Sequence, residues 1–315
     1  MRNPVIFLST LFNGLAKRPF FISHLITGKC NARCPTCRWR SEKSDGSLTE
    51  ILNFYKQAKI EGFYSTTLWG GEPLMRDDIF EIVRSIKEMG FKIGLITNGN
   101  YLNEKIEITK HLDFLIISMD AVGEKLDTLR GITGLYERIS DAVNKIKNKR
   151  LMINTVVSNF SYPDCLKVAD FAKKYNCIIF YEYPIGKGLL EKKISFAAFM
   201  QILKLKDRGY PIGNSRQYLI SAAREDFEYK CRVRDFSITV FNDGSIRNCI
   251  TGEFIGNTYF EDLRLILMRK EFQNLRKISH QCNRCTDSGA YESSRTIRLK
   301  FDAVFNSLRL FWGKT

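Results

Sequence analysis

The sequence predicts an α/β fold: a partial (β/α)6 TIM barrel followed by a small C-terminal α+β domain. Three observations carry this. Between residues 20 and 210, six short runs rich in β-branched and aromatic residues alternate with segments of helical period, as in a parallel sheet with crossover helices. Right-handed crossovers curl such a sheet into a barrel or an arc of one. Past residue 210 the alternation stops, and a hairpin signal and a Cys-x2-Cys segment follow.

In chain order, strands are expected at 20–27, 64–69, 91–97, 113–119, 151–157 and 177–183. Helical patterns lie between or after them, near 48–61, 77–89, 102–111, 136–148, 162–175 and 195–207. In such a fold, chemistry collects in the loops after each strand, at the carboxyl edge. The segment 234–250 reads as a β-hairpin turning at Asn242-Asp243-Gly244, followed by a helix near 260–276. Four divisions follow: a basic amphipathic helix in 1–19, the barrel core in 20–210, a small domain in 211–290 and a basic amphipathic tail in 291–315. In the first, Asn3 and Pro4 suit a helix start, and Leu8, Leu11, Phe12 and Leu15 share a face. In the last, Phe301, Val304, Phe305, Leu308 and Trp312 do the same, flanked by Arg295, Arg298, Lys300, Arg309 and Lys314.

The 315 residues include 49 Lys and Arg against 34 Asp and Glu, a formal charge of +15. A polybasic partner is excluded by that balance; nucleic acid, a phospholipid surface and an anionic substrate remain. Neither the apolar run at 5–15 nor any other stretch is long enough to span a bilayer. The nine cysteines are too unevenly spaced for a disulfide framework and point to metal in a reducing, cytoplasmic compartment.

Cys30, Cys34 and Cys37 form C-x3-C-x2-C in the loop after the first strand. Three thiolates on one short loop can hold three irons of a [4Fe–4S] cluster and leave the fourth open to a small molecule. Structural zinc wants four ligands, and this loop offers no fourth Cys or His. Gly70-Gly71-Glu72-Pro73 follows the second strand, Thr97-Asn98-Gly99 the third and Ser118-Met119-Asp120 the fourth, with Asn154 and Ser158 on or after the fifth.

On these residues the chain resembles the radical S-adenosylmethionine (SAM) superfamily over most of 20–208. The resemblance implies that Cys30, Cys34 and Cys37 ligate a SAM-binding [4Fe–4S] cluster. It further implies that Gly70, Gly71, Glu72 and Pro73 meet the methionyl amine, where backbone carbonyls and the Glu72 carboxylate suit an ammonium group. Thr97, Asn98, Ser118, Asp120 and, more weakly, Asn154 would approach the ribose and carboxylate of SAM. One departure stands out: the family carries an aromatic residue before the third cysteine, packed on adenine. Here that position is Thr36, and Trp39 is a candidate substitute.

A second set, Cys231, Cys249, Cys282 and Cys285, is similar to the twitch domain, the shortened relative of the SPASM domain in radical SAM enzymes. Four thiolates would ligate one auxiliary [4Fe–4S] cluster fully, which suits electron transfer rather than substrate binding. Four-cysteine structural zinc is the competing reading. Cys165 and Cys177 are expected in the core, and His24, His111 and His280 are isolated.

The resemblance implies reductive cleavage of SAM to a 5′-deoxyadenosyl radical, hydrogen abstraction from an unactivated C–H bond, and a one-electron reductant of flavodoxin or ferredoxin type. The basic, amphipathic ends direct the substrate expectation to a membrane lipid or isoprenoid chain. They also imply peripheral attachment to an anionic membrane and an oxidative C–C bond formation that uses the second redox site. Alternatives are ribosomal peptide maturation, against which the shortness of 1–20 counts as a leader-binding domain, and sugar or aminoglycoside dehydrogenation. A zinc-stabilised nucleic-acid binder explains the charge but not Gly70–Pro73 or the six βα units, so no nucleic acid is expected.

Overall fold

The structure, a computed structural model, describes residues 19–41, 43–146, 150–249, 252–282 and 285–312, with side chains through 308. The expected N-terminal helix lies outside the described residues.

The six expected strands are all present: β1 (Phe21–Thr27), β2 (Ser65–Gly70), β3 (Lys92–Thr97), β4 (Phe114–Ser118), β5 (Arg150–Val156) and β6 (Ile178–Glu182). They pair in parallel, each with its sequence neighbour, as an arc of a barrel. Helix α1 (Leu48–Ile60) follows β1 and starts in a capping box. Ser47 Oγ accepts from the Glu50 N–H, and Glu50 Oε2 accepts from the Ser47 N–H at 2.8 Å. Helix α2 (Ile79–Glu88) buries Ile79, Ile82, Val83 and Ile86, an i, i+3, i+4, i+7 face.

Beyond β3 the details part from the sequence pattern. Instead of a helix over 102–111 there is a 3-10 helix at Ile106–His111, where three β-branched residues crowd into four positions. After β4 an additional short helix, α3 (Glu124–Arg130), runs between Gly123 and Gly131; Gly131 ends it in the left-handed conformation at φ 65°. Helices α4 (Leu135–Lys145), α5 (Val168–Lys174) and α6 (Lys192–Asp207) occupy the remaining expected places.

The C-terminal region holds a larger difference. Helices α7 (Arg216–Arg224) and α8 (Val233–Phe236) lead into β7 (Ser237–Val240), β8 (Ser245–Arg247) and β9 (Phe254–Asn257). The hairpin does not fold apart from the barrel. β7 pairs in parallel with β1, from Phe21 opposite Ser237 to His24 opposite Val240. One nine-stranded sheet results among the described residues, in the order β6-β5-β4-β3-β2-β1-β7-β8-β9. β7 thereby covers the β1 edge, whose backbone would otherwise be unpaired. The expected helix near 260–276 is two, α9 (Leu263–Met268) and α10 (Lys270–Ser279), broken where Arg269 turns extended.

Helix α11 (Ser288–Ile297) is capped by Asp287, which accepts from the Ala290 N–H, and α12 (Phe301–Trp312) packs beside it. Ala303 and Asn306 are buried, and Asn306 Nδ2 donates to the Gly213 carbonyl at 2.9 Å. Phe301 and Phe305 stack on the outer side of α12, 86% and 62% exposed. No helix among the described residues is long and apolar enough to cross a membrane.

Candidate cofactor site

The loop after β1 is pinned from several sides. Asp45 accepts from the Gly28 N–H at 2.9 Å and from the Thr27 hydroxyl, and the Ser41 N–H returns to the Gly28 carbonyl. Arg76 donates to the carbonyls of Ile26 and Gly46, each at 3.0 Å, while its ion pair with Asp78 fixes the guanidinium. On this frame Cys30 and Cys34 are half-buried and Cys37 is exposed, all three as free thiols. Backbone N–H groups already aim at sulfur: Ala32 at Cys30 Sγ and Trp39 at Cys37 Sγ. Burial pushes the Cys30 and Cys34 thiols up, and Arg130 opposes this at Cys34. Three soft donors on one loop with amide N–H groups turned to the sulfurs fit an iron–sulfur cluster.

The segment after β2 lies directly against that loop. Gly71 N–H donates to the Thr27 carbonyl and Glu72 N–H to the Lys29 carbonyl, both at 2.7 Å. A Cβ on Gly71 would stand 2.1 Å from the Lys29 oxygen, so only glycine allows this approach. Glu72 is held by its own fold. Its buried carboxylate accepts from the Thr97 hydroxyl and the Asn98 N–H, each at 2.7 Å, and from the Leu74 N–H at 3.0 Å. This side chain ties the loop after β2 to the loop after β3.

Asn98 extends that link, donating from Nδ2 to Asn31 Oδ1 at 2.9 Å, inside the cysteine loop. Ser118 and Asn154 sit opposite each other in register at the ends of β4 and β5, both half-buried. Asp120 is buried and paired with Arg130 Nη2 at 2.5 Å, and its other oxygen accepts from the Val156 N–H at 2.8 Å. Ser158 bonds within its own turn, to Ser161.

Arg130 is the residue that the sequence reading missed. It is buried beside Cys34, it stays charged because Asp120 offsets its burial, and its Nε has no hydrogen-bond partner among the described residues. Its carbonyl accepts from the Arg33 N–H at 2.8 Å, joining α3 to the cysteine loop. The available signal was local: Arg130-Gly131 reads as a helix end carrying a cation. Trp39 packs edge to face on Trp69, with ring centroids 4.8 Å apart.

The second cysteine set lies in the C-terminal region. Cys231 is buried, Cys282 and Cys285 are half-buried and Cys249 is exposed. The Cys231 N–H donates to the Cys282 carbonyl at 3.0 Å; the Cys231 thiol has Cys249 and Cys282 as electrostatic neighbours, and Cys285 has Cys231. Four thiols are the donor set of a fully ligated metal centre of iron–sulfur or zinc type, but among the described residues no three Cys, His, Asp or Glu side chains stand close enough together to hold one ion. Cys165 and Cys177 are buried in the core, as expected, and burial pushes both up to about 12. His24 is a satisfied core histidine between the Tyr55 and Tyr259 hydroxyls, pushed down to about 3 by burial and by Arg76.

Comparison with known proteins agrees with this geometry. Residues 25–172 match the Radical SAM superfamily, and that part of the chain is a radical SAM domain. The superfamily implies SAM and a [4Fe–4S] cluster. The chain is 31% identical over 204 residues to the AdoMet-dependent heme synthase of Methanosarcina barkeri, covering 60% of this chain and 58% of that protein. It is also 31% identical over 182 residues to a probable GTP 3',8-cyclase of Saccharolobus solfataricus, covering 53% and 58%. In each case the match spans somewhat over half the length of the relative. Two solved structures share the fold. Streptococcus suis SuiB bound to precursor peptide SuiA gives a TM-score of 0.67 at 19% identity, covering 88% of this chain and 72% of that one. Native anSMEcpe with bound AdoMet and Cp18Cys peptide gives 0.65 at 16% identity, covering 93% and 96%.

Proposed function

We propose that this chain reductively cleaves SAM and uses the product radical to take hydrogen from an unactivated C–H bond. One observation carries the reading: the loop after β1 that bears three free thiols is held backbone to backbone by the segment after β2, through the Gly71 N–H on the Thr27 carbonyl and the Glu72 N–H on the Lys29 carbonyl. When bound, a [4Fe–4S] cluster and SAM supply a 5′-deoxyadenosyl radical. Cys30, Cys34 and Cys37 would hold three irons. The 70–73 backbone would face the methionyl amine, with Glu72 as the brace that keeps Thr97 and Asn98 against the loop. Ser118, Asn154 and Arg130 are the polar groups left at the carboxyl edge for the carboxylate and ribose. Trp39 is the aromatic side chain available for adenine.

Cys231, Cys249, Cys282 and Cys285 would hold an auxiliary [4Fe–4S] cluster. Full ligation by four thiolates supports a role in passing an electron rather than binding substrate.

Two substrate classes have support. The outward Phe301–Phe305 stack, beside a basic tail, favours a lipid or isoprenoid chain at a membrane surface. Two fold neighbours solved with a peptide bound favour peptide maturation. The test is anaerobic reconstitution with deuterated lipids in one arm and deuterated peptides in the other. Deuterium in deoxyadenosine identifies the substrate class; absence of deoxyadenosine from reduced, reconstituted protein overturns the function.

A further inference from the structure

Arg234 is a cation buried without a counter-charge. It lies in α8 and is 6% exposed. The carboxylate beside it in sequence, Asp235, is fully buried and is taken by Arg232, Arg276 and His280. Arg234 itself forms no ion pair among the described residues. Its Nη1 donates to Thr239 Oγ1 at 3.1 Å, and its Nε is shut off from solvent with no hydrogen-bond partner among the described residues. Burying a guanidinium is unfavourable unless an anion meets it.

Thr239 fixes where that anion would sit. β7 pairs in register with β1, so Thr239 and Ser23 share one face of the sheet. His24, next along β1, turns to Tyr55 of α1, so Ser23 and Thr239 turn the other way, toward the hollow of the arc. Ser23 accepts from Trp69 Nε1 at 2.8 Å, and Ser23, Trp69 and Thr239 are half-buried where His24 and Val240 are buried. Ile96, Ile116 and Met152 stand in register on the same inner face, apolar and half-buried. An apolar wall lowers the local dielectric and strengthens the pull of a cation on an anion.

Resting on the proposed function, we propose that Arg234 binds an oxyanion of the substrate, a carboxylate or phosphate group, on the inner face of the sheet at β7. Thr239 holds Nη1, which leaves Nε and Nη2, the edge of a guanidinium that pairs two oxygens at once. Ser23 lies four residues before the end of β1, about 13 Å below the carboxyl edge where the radical forms. A substrate anchored there by its anion reaches up to that edge with its reacting carbon, and the anchor selects which C–H bond is offered. The other negative group near Arg234 is the Cys231 thiol, which burial pushes up and Arg234 pulls down.

The test uses the reconstituted full chain, Arg234→Met and Arg234→Lys, titrated calorimetrically with inorganic phosphate and with acetate at matched ionic strength. The expected result is saturable binding of at least one anion by the parent, weaker by about tenfold or more in Arg234→Met. Arg234→Lys, which keeps the charge but not the two-oxygen edge, should fall between them. The preferred anion tells a phosphate-bearing substrate from a carboxylate. Equal affinities in the parent and Arg234→Met overturn the proposal, as does a parent that binds neither anion. Iron lost from Arg234→Met with anion affinity unchanged also overturns it and assigns the cation to the Cys231 thiolate. Where Arg234→Met does not fold, Arg234→Lys decides, and parental affinity in that variant overturns the proposal. Deoxyadenosine formed after dithionite reduction, without added substrate, should stay within about twofold in both variants. None from the parent overturns the proposed function, a result separate from the anion titration.

Discussion

Asp120 and Arg130 show how a residue placed at an active edge can serve the frame around it. Both are buried, each has the other as its charged partner, and Asp120 also receives the Val156 N–H. A buried pair contributes little net stability over an apolar pair, yet removing one member strands the other charge. Arg130→Met should therefore cost about 3–5 kcal/mol in denaturant unfolding, and adding Asp120→Asn should recover part of the loss. A single variant within about 1 kcal/mol of the parent would show that Asp120 finds another partner. Part of this arrangement was legible in the sequence. Gly70 and Gly71 were legible because a tight approach of two backbones admits little else. The roles of Glu72 and Asp120 were not legible, because a carboxylate looks the same in sequence whether it meets an ammonium or three N–H and O–H donors of its own fold. Arg130 was missed because its helix lacks a run long enough to show a period.

Among the elements, the β7–β8 turn ties the C-terminal region to the cysteine loop. Asn242 donates from Nδ2 to the Lys43 carbonyl and to Asp45, which itself holds Thr27 and Gly28; the Gly46 N–H returns to the Asn242 carbonyl. Asp243 pairs with Lys43 at 2.7 Å and accepts from the Ser245 N–H and hydroxyl. Burial alone would raise the Asp243 carboxyl, but Lys43 and Ser245 outweigh it and hold the group at about 2, against an ordinary 3.8. The folded pKa lies below the unfolded one, so this contribution is complete above pH 3.8 and is lost as pH falls toward 2. Asp243→Asn should lower stability at pH 7 by about 1–2 kcal/mol, less than the full shift because the pair is partly exposed. Unfolding followed against pH should show the gap closing at acid pH; a gap constant down to pH 2 would remove the ion pair from the account. The sequence showed the turn, since Asn-Asp-Gly is a strong local signal. It did not show the docking, because pairing across 197 residues has no local pattern.

For the whole molecule, the sheet is the organising fact. The six-strand arc was legible from alternation alone, and its boundaries fall within a residue or two of the expected runs. That the hairpin adds to β1 was not, since a short strand carries no record of which edge it covers. The consequence is that the loop after β1, with Cys30, Cys34 and Cys37, and the segment after β8, with Cys249, both leave strands of one sheet, in which β7 lies between β1 and β8. Cys249→Ala should leave deoxyadenosine formation within about twofold while stalling formation of the final product, and iron should fall from about eight to about four per chain. Unchanged iron, or zinc in place of the missing four, would reassign the second set to a structural metal.

The central claim is that three thiols on one loop leave a site at which SAM is split by a single electron. It is tested most directly by anaerobic reconstitution of the parent and of Cys37→Ala, with deoxyadenosine measured after dithionite reduction. The account predicts deoxyadenosine from the parent and none above background from the variant. Deoxyadenosine from Cys37→Ala at the parental rate would contradict it.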